Sequence, residues 1–134
     1  MEEYNSLTEN YYRSAKAIIQ VFSFGSSESF SYMENSVTDI KSCDYAPDGC
    51  FFLVGNKTDI DPIDRQVPLE RADVYLQDNP AVFENIFQTS AKNGKGIIEL
   101  FKNVAHTLVR SHTKPQVETN LIAQRYQNRD NCCS

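Results

Sequence analysis

The chain has 134 residues, 40% hydrophobic and 23% charged, enough for one hydrophobic core and too few for two domains. Its 13 Lys and Arg against 18 Asp and Glu give a formal net charge of −5, which argues against a nucleic-acid partner. Met1-Glu2-Glu3-Tyr4 lacks the basic, apolar opening of a signal peptide, and no apolar run approaches the roughly 18 residues of a membrane span, so a cytoplasmic location is expected. The four cysteines, Cys43, Cys50, Cys132 and Cys133, are spaced neither as a disulfide framework nor as a zinc site.

Along the chain, apolar spacing alternates between helical and strand patterns. Tyr4, Leu7, Tyr11, Tyr12 and Ala15 predict a helix over 3–15. Residues 17–24 (AIIQVFSF) are β-branched and aromatic and read as a buried strand. Ser26 or Ser27 can cap the next helix, whose inner face is Phe30, Met33, Val37 and Ile40 and whose end falls near Ser42. After a loop holding Pro47 and Gly49, residues 50–55 form a continuous apolar run, as buried parallel strands do. A polar loop, 56–64, follows. Leu69, Ala72, Val74, Tyr75 and Leu76 then suggest a helix after Pro68, and Asn85 to Thr89 a short strand. Ile97, Leu100, Phe101, Val104 and Leu108 mark the clearest helix of the chain.

This alternation predicts an α/β fold, a parallel sheet with helices on both faces. Ligands of such sheets bind in loops at the carboxyl ends of strands, and two polar clusters sit there. Asn56-Lys57-Thr58-Asp59 follows the second strand, and Thr89-Ser90-Ala91-Lys92 follows the third. A carboxylate only accepts hydrogen bonds, so Asp59 suits a ligand edge with two adjacent N–H donors, such as N1 and N2 of guanine. The Lys57 stem can lie along a base, and the Asn56 amide can tie the two loops together. The backbone of Ser90, Ala91 and Lys92 can offer N–H groups to guanine O6. Taken singly, an Asn or Asp after a strand is equally well ordinary turn chemistry.

An N-K-x-D sequence after one apolar strand and S-A-K after the next resemble the guanine-recognition motifs of Ras-superfamily small GTPases, with the Rab branch most similar. Glu2-Glu3-Tyr4 and Tyr11-Tyr12-Arg13 resemble the second switch and its helix, Glu28-Ser29-Phe30 the start of the following helix, and residues 53–59 the base-binding strand. Ser23 stands where the family usually has Asp. The resemblance implies a partial P-loop small-GTPase fold, strands 4-5-6 of the family's sheet with flanking helices over 1–109. It implies GTP or GDP as ligand, with the base held by Asn56, Lys57, Asp59, Ser90, Ala91 and Lys92. Exchange factors, effectors and the Rab escort and prenylation machinery are the implied partners.

The phosphate half has no counterpart. No G-x-x-x-x-G-K-[ST] occurs in the sequence, Asn93-Gly94-Lys95-Gly96 lacks its spacing and its hydroxyl residue, and Met1 stands where the family places its water-orienting Gln. The first switch and the D-x-x-G element are also missing, so an N-terminally truncated member of the family is expected. In it Mg2+ has no ligands, and no catalytic residue remains. Hydrolysis by this chain alone is therefore not expected. Two charged hydrogen bonds from Asp59 contribute roughly 1.5 to 3 kcal/mol each against at least about 4 kcal/mol for lost freedom of motion, so nucleotide binding is expected to be millimolar or weaker. Removing strands one to three also leaves 17–24 as an exposed apolar edge and predicts marginal stability.

Residues 1–109 carry 9 basic and 16 acidic side chains, a net −7, and 110–134 carry 4 and 2, a net +2. From Arg110 onward the apolar periodicity stops and polar residues with Pro115 take over, which predicts a flexible tail. It ends in Cys132-Cys133-Ser134, which is similar to the paired cysteines on which Rab proteins carry geranylgeranyl groups; an ordinary free cysteine pair is the alternative. Prenylation would add the cytosolic face of intracellular membranes to the protein's locations. Two functions stay open: a guanine-nucleotide switch in vesicle trafficking, or a non-catalytic interaction protein that keeps the helical surfaces of a Rab.

Overall fold

The computed structural model describes residues 12, 14–42 and 50–112. Its elements, in chain order, are β1 (Ala17–Ser23), α1 (Ser27–Ser42), β2 (Cys50–Asn56), a single 3-10 turn (Pro62–Asp64), α2 (Leu69–Asp78), β3 (Ile86–Gln88) and α3 (Ile97–His112). The strands form one parallel sheet in the order β1-β2-β3. Ala17 pairs with Cys50 and Ser23 with Asn56, so β1 and β2 run in register over their full length, and Leu53 to Gly55 pair with Ile86 to Gln88.

The two faces follow from the strand period of two. Leu53 points into a core with Phe22, Phe24, Phe30, Met33, Val37 and Ala72, beneath α1 and α2. Its neighbours Phe52 and Val54 point the other way and pack with Leu100 and Val104 of α3. Helices thus cover both faces, as the alternation predicts. The α1 stripe Phe30, Met33, Val37 and Ile40 is buried throughout. Phe22 and Phe30 meet edge to face with centroids 4.9 Å apart.

Several boundaries move. Of the predicted helix 3–15, Tyr12 and Ser14 are helical and Ala15 is not, while the rest lies outside the described residues. The same holds for Pro47, Gly49, Cys43, the switch-like residues before Tyr12, Arg13, and the tail after His112, including Cys132 and Cys133. β1 ends at Ser23, because Phe24 turns away from the sheet and its carbonyl accepts the N–H groups of Gln66 and Val67 at 2.9 and 3.0 Å. Phe24 is nonetheless fully buried, its ring filling the space left by Gly55, where a Cβ would stand 2.5 Å from the ring. The 3-10 turn inside the polar loop is capped by Asp61, whose side chain accepts from the Ile63 N–H at 3.1 Å. α3 continues through Arg110 to His112, with Ser111 Oγ donating to the Leu108 carbonyl, three residues past the predicted boundary at 109. Val74 and Phe101, read from sequence as part of the apolar helical patterns, are exposed.

Candidate guanine-recognition site

The carboxyl ends of β2 and β3 bring the two polar clusters side by side. Pairing of the strands sets their distance: the Thr89 N–H donates to the Gly55 carbonyl at 2.9 Å, and the Thr58 N–H returns a bond to the Thr89 carbonyl at 3.1 Å. Between them Asn56, the last residue of β2, reaches across. Its Oδ1 accepts from Thr89 Oγ1 at 3.1 Å and from the Ala91 N–H at 3.0 Å, so one side chain locks two turns together. Lys57 then takes a left-handed backbone conformation, φ +66°, unusual for a residue with a side chain. That turn lets the Lys57 carbonyl accept the Ile60 N–H and leaves Lys57 and Asp59 both at the surface.

Ser90 is the hub of the second loop. Fully buried, it donates its N–H to the Lys95 carbonyl and accepts the Gly94 N–H at its own carbonyl. Its Oγ donates to Asp59 Oδ1 at 2.7 Å and accepts the Asn93 N–H at 3.3 Å. This charge-assisted bond holds the Asp59 carboxyl below the ordinary carboxylate range against a smaller opposing effect of desolvation; its own backbone N–H and the charges of Lys92 and Lys57 add to the lowering. The result is an ionised, oriented acceptor flanked by Lys57 and Lys92, a set suited to a planar donor edge.

The backbone N–H groups expected to meet a carbonyl are largely committed elsewhere. Those of Ser90 and Ala91 serve Lys95 and Asn56, and among the three only the Lys92 N–H makes no hydrogen bond with a described residue. Sequence reasoning gave too little weight to three supports. Thr89, buried, is the direct partner of Asn56. Arg65 lies 5.0 Å over the Phe24 ring and donates to the Thr58 carbonyl, bracing the first loop from below. Gly96, at φ +77°, comes so close to the Gln88 carbonyl that a side chain there would overlap it. The N-G-K-G run signals these turns; nothing in the sequence signals Arg65.

Among the described residues, no group of three or more His, Cys, Asp or Glu is placed to hold a metal ion. A cleft of about 610 Å3 lies at the opposite, amino end of β2 and β3, lined by Cys50, Phe52, Asn85, Phe87, Asn103 and Thr107 among others, and neither polar cluster contributes to its lining.

Residues 1–110 match the Ras family. The chain belongs to that family. Among its relatives are the Ras-related protein Rab5A of Oryza sativa subsp. japonica, 30% identical over 99% of this chain and 66% of that protein, and the Ras-related protein Rab-4 of Dictyostelium discoideum, 32% identical over 81% and 50%. The human Ras-related protein Rab-4B is 28% identical over 96% of this chain and 58% of its own length. This Ras-family chain is thus of the Rab type and spans between half and two thirds of the length of those relatives. Its three-stranded sheet with flanking helices is part of a small-GTPase fold. No helix among the described residues is long and apolar enough to cross a membrane.

Proposed function

We propose that this chain carries the base-recognition half of a Rab-type guanine-nucleotide switch acting in vesicle trafficking. Asp59 accepts from N1 and N2 of guanine, Lys57 lies along the base, and of the Ser90-Ala91-Lys92 backbone the Lys92 N–H, the one not committed within the described residues, is left to meet guanine O6. Asn56 holds the two loops at a fixed separation. The observation that carries this reading is the double tie between the loops, through Asn56 Oδ1 to Thr89 and Ala91 and through Ser90 Oγ to Asp59. Ordinary turn chemistry requires neither bond.

The base half alone holds a nucleotide weakly, because the sequence has no G-x-x-x-x-G-K-[ST] element to hold the phosphates; a millimolar constant corresponds to about 4.1 kcal/mol. Hydrolysis therefore does not belong to this chain by itself. The GTPase-type part of the chain runs at least to His112, where α3 ends, and beyond it Cys132 and Cys133 take prenyl groups when the escort machinery accepts the protein. Two such chains anchor a protein stably to a membrane. Exchange factors and effectors are its partners by the same resemblance.

Fluorescent GDP titrated against the full chain, with Asp59→Asn alongside and circular dichroism to establish folding, tests the reading. Weak saturable binding lost in the variant is expected. Binding that is equally strong in Asp59→Asn, or that prefers adenine nucleotides, overturns it. A second reading, a non-catalytic protein that competes for Rab partners, is favoured by the absence of any G-x-x-x-x-G-K-[ST] sequence. Folding without nucleotide binding would select it.

A further inference from the structure

We infer that Arg65 is a positioning residue of the base-recognition site, acting on Asp59 through the peptide that joins it to Thr58. This rests on the reading of Asp59 as the acceptor of guanine. Thr58 stands between Lys57, whose φ of +66° turns the chain, and Asp59. Its N–H donates to the Thr89 carbonyl at 3.1 Å, and its carbonyl accepts Arg65 Nη2, also at 3.1 Å. The first bond ties the two loops together; the second sets the tilt of the next peptide. In a planar trans peptide the carbonyl and the following N–H point in opposite directions, so a guanidinium that holds the Thr58 carbonyl also aims the Asp59 N–H. That N–H bonds to its own carboxylate and helps to hold the Asp59 pKa down. The charges acting on this carboxylate are those of Lys92 and Lys57, so Arg65 reaches it by geometry and not by its field.

The brace has a fixed footing. The Arg65 guanidinium lies 5.0 Å from the centroid of the Phe24 ring, which is fully buried and fills the space beside Gly55. Next in the chain, the Gln66 and Val67 N–H groups both donate to the Phe24 carbonyl, and Gln66 Oε1 accepts the Ser27 N–H at 3.0 Å. Arg65 is thus tied to the β1–α1 turn through the ring and through the chain. A planar guanidinium can stack on a ring while its edge donates to a carbonyl.

Stability does not explain this arginine. Its Nε is buried and bonds to no described residue, and the same is true of Thr58 Oγ1. A buried donor left unpaired costs free energy, and among the described residues no carboxylate forms an ion pair with the guanidinium. A methionine would pack on Phe24 without that cost. It would not hold the Thr58 carbonyl.

Arg71 supplies the control. It lies 4.5 Å from the centroid of the Phe30 ring, in the same kind of stack, but it donates to Ser27 Oγ and pairs with Glu34, and it bonds to neither polar cluster. The test is NMR on the full chain, as parent, Arg65→Met and Arg71→Met. It reads the Asp59 carboxyl titration and the shift changes on adding GDP or ADP, with circular dichroism and urea midpoints alongside. In Arg65→Met the dichroism and midpoint are expected to stay near the parent's, while the Asp59 pKa rises toward 3.8. GDP binding weakens at least about tenfold, as for one misplaced charged hydrogen bond, and ADP binding does not change. Arg71→Met keeps the parent's titration and its GDP binding. An unchanged Asp59 titration or GDP affinity in Arg65→Met overturns the proposal, as does loss of its dichroism or midpoint, which would make Arg65 a structural residue. An equal effect in Arg71→Met overturns it too, because the contact with Thr58 is then not the cause. A parent that does not prefer GDP overturns the base-recognition reading and this inference with it, whereas a failure confined to Arg65→Met leaves that reading intact.

Discussion

Ser90 is the residue on which the site turns, since it is buried, satisfies three backbone groups of its own loop and still spends its hydroxyl on Asp59. Its bond to the carboxylate is the largest cause of the lowered Asp59 pKa. Ser90→Ala is therefore expected to raise the Asp59 pKa toward its ordinary value of 3.8, read from the carboxyl carbon by NMR titration. The sign for stability follows: a lowered folded pKa stabilises the protein above the unfolded value and loses that contribution as pH falls through the folded one. The acid limb of unfolding should accordingly shift upward in Ser90→Ala. At the other end of the scale, burial first and the nearby Glu34 second push the Tyr75 hydroxyl up to about 12. That contribution is complete below the unfolded value of 10.0 and disappears as pH rises toward 12. Tyr75→Phe is expected to remove this alkaline limb, followed by denaturation monitored against pH.

Elements and turns carry different amounts of readable signal. α1 was legible because sixteen residues repeat one pattern, and Phe30, Met33, Val37 and Ile40 all became core. The two polar clusters were legible because each directly follows an apolar run. Phe24 was not, since its apolar character says buried and only the Gly55 space on a neighbouring strand says turn. Phe101 keeps the helical spacing yet is exposed, because spacing records which helix face is apolar and not whether anything covers it. The loop that presents Ser90 gives a test at this scale. Gly94 and Gly96 both have positive φ, 84° and 77°, but a Cβ on Gly94 meets open space and one on Gly96 meets the Gln88 carbonyl. Gly94→Ala is expected to cost about 1 to 2 kcal/mol for the backbone conformation alone. Gly96→Ala adds an overlap of overpacking type, about 1 to 3 kcal/mol more, and should displace Ser90 from Asp59. Urea midpoints of the two variants, with the Asp59 titration as a local readout, separate the effects.

At the scale of the molecule, the described residues bury the sheet unequally. The core beneath α1 and α2 gathers Phe22, Phe24, Phe30, Phe83, Met33, Val37, Leu53, Val67 and Ala72, whereas the α3 face buries only Phe52, Val54, Leu100 and Val104. Free energies of local opening follow the apolar contacts an element makes, so α3 is expected to exchange its amide hydrogens before α1 and β2 do. Side-chain truncation should report the same asymmetry. Phe30→Ala removes a ring packed edge to face against both Phe22 and Tyr75 and is expected to cost about 3 to 5 kcal/mol. Against a total of about 5 to 15 kcal/mol for a typical domain, that loss unfolds a substantial fraction of the chain. Leu100→Ala opens onto a thin, partly exposed layer that can relax into the space, so it belongs near the low end of the about 2 to 5 kcal/mol range. Hydrogen exchange by mass spectrometry reads this asymmetry directly, with α3 amides expected to exchange before those of α1. Equal protection of α1 and α3 would mean that a covering outside the described residues closes the α3 face.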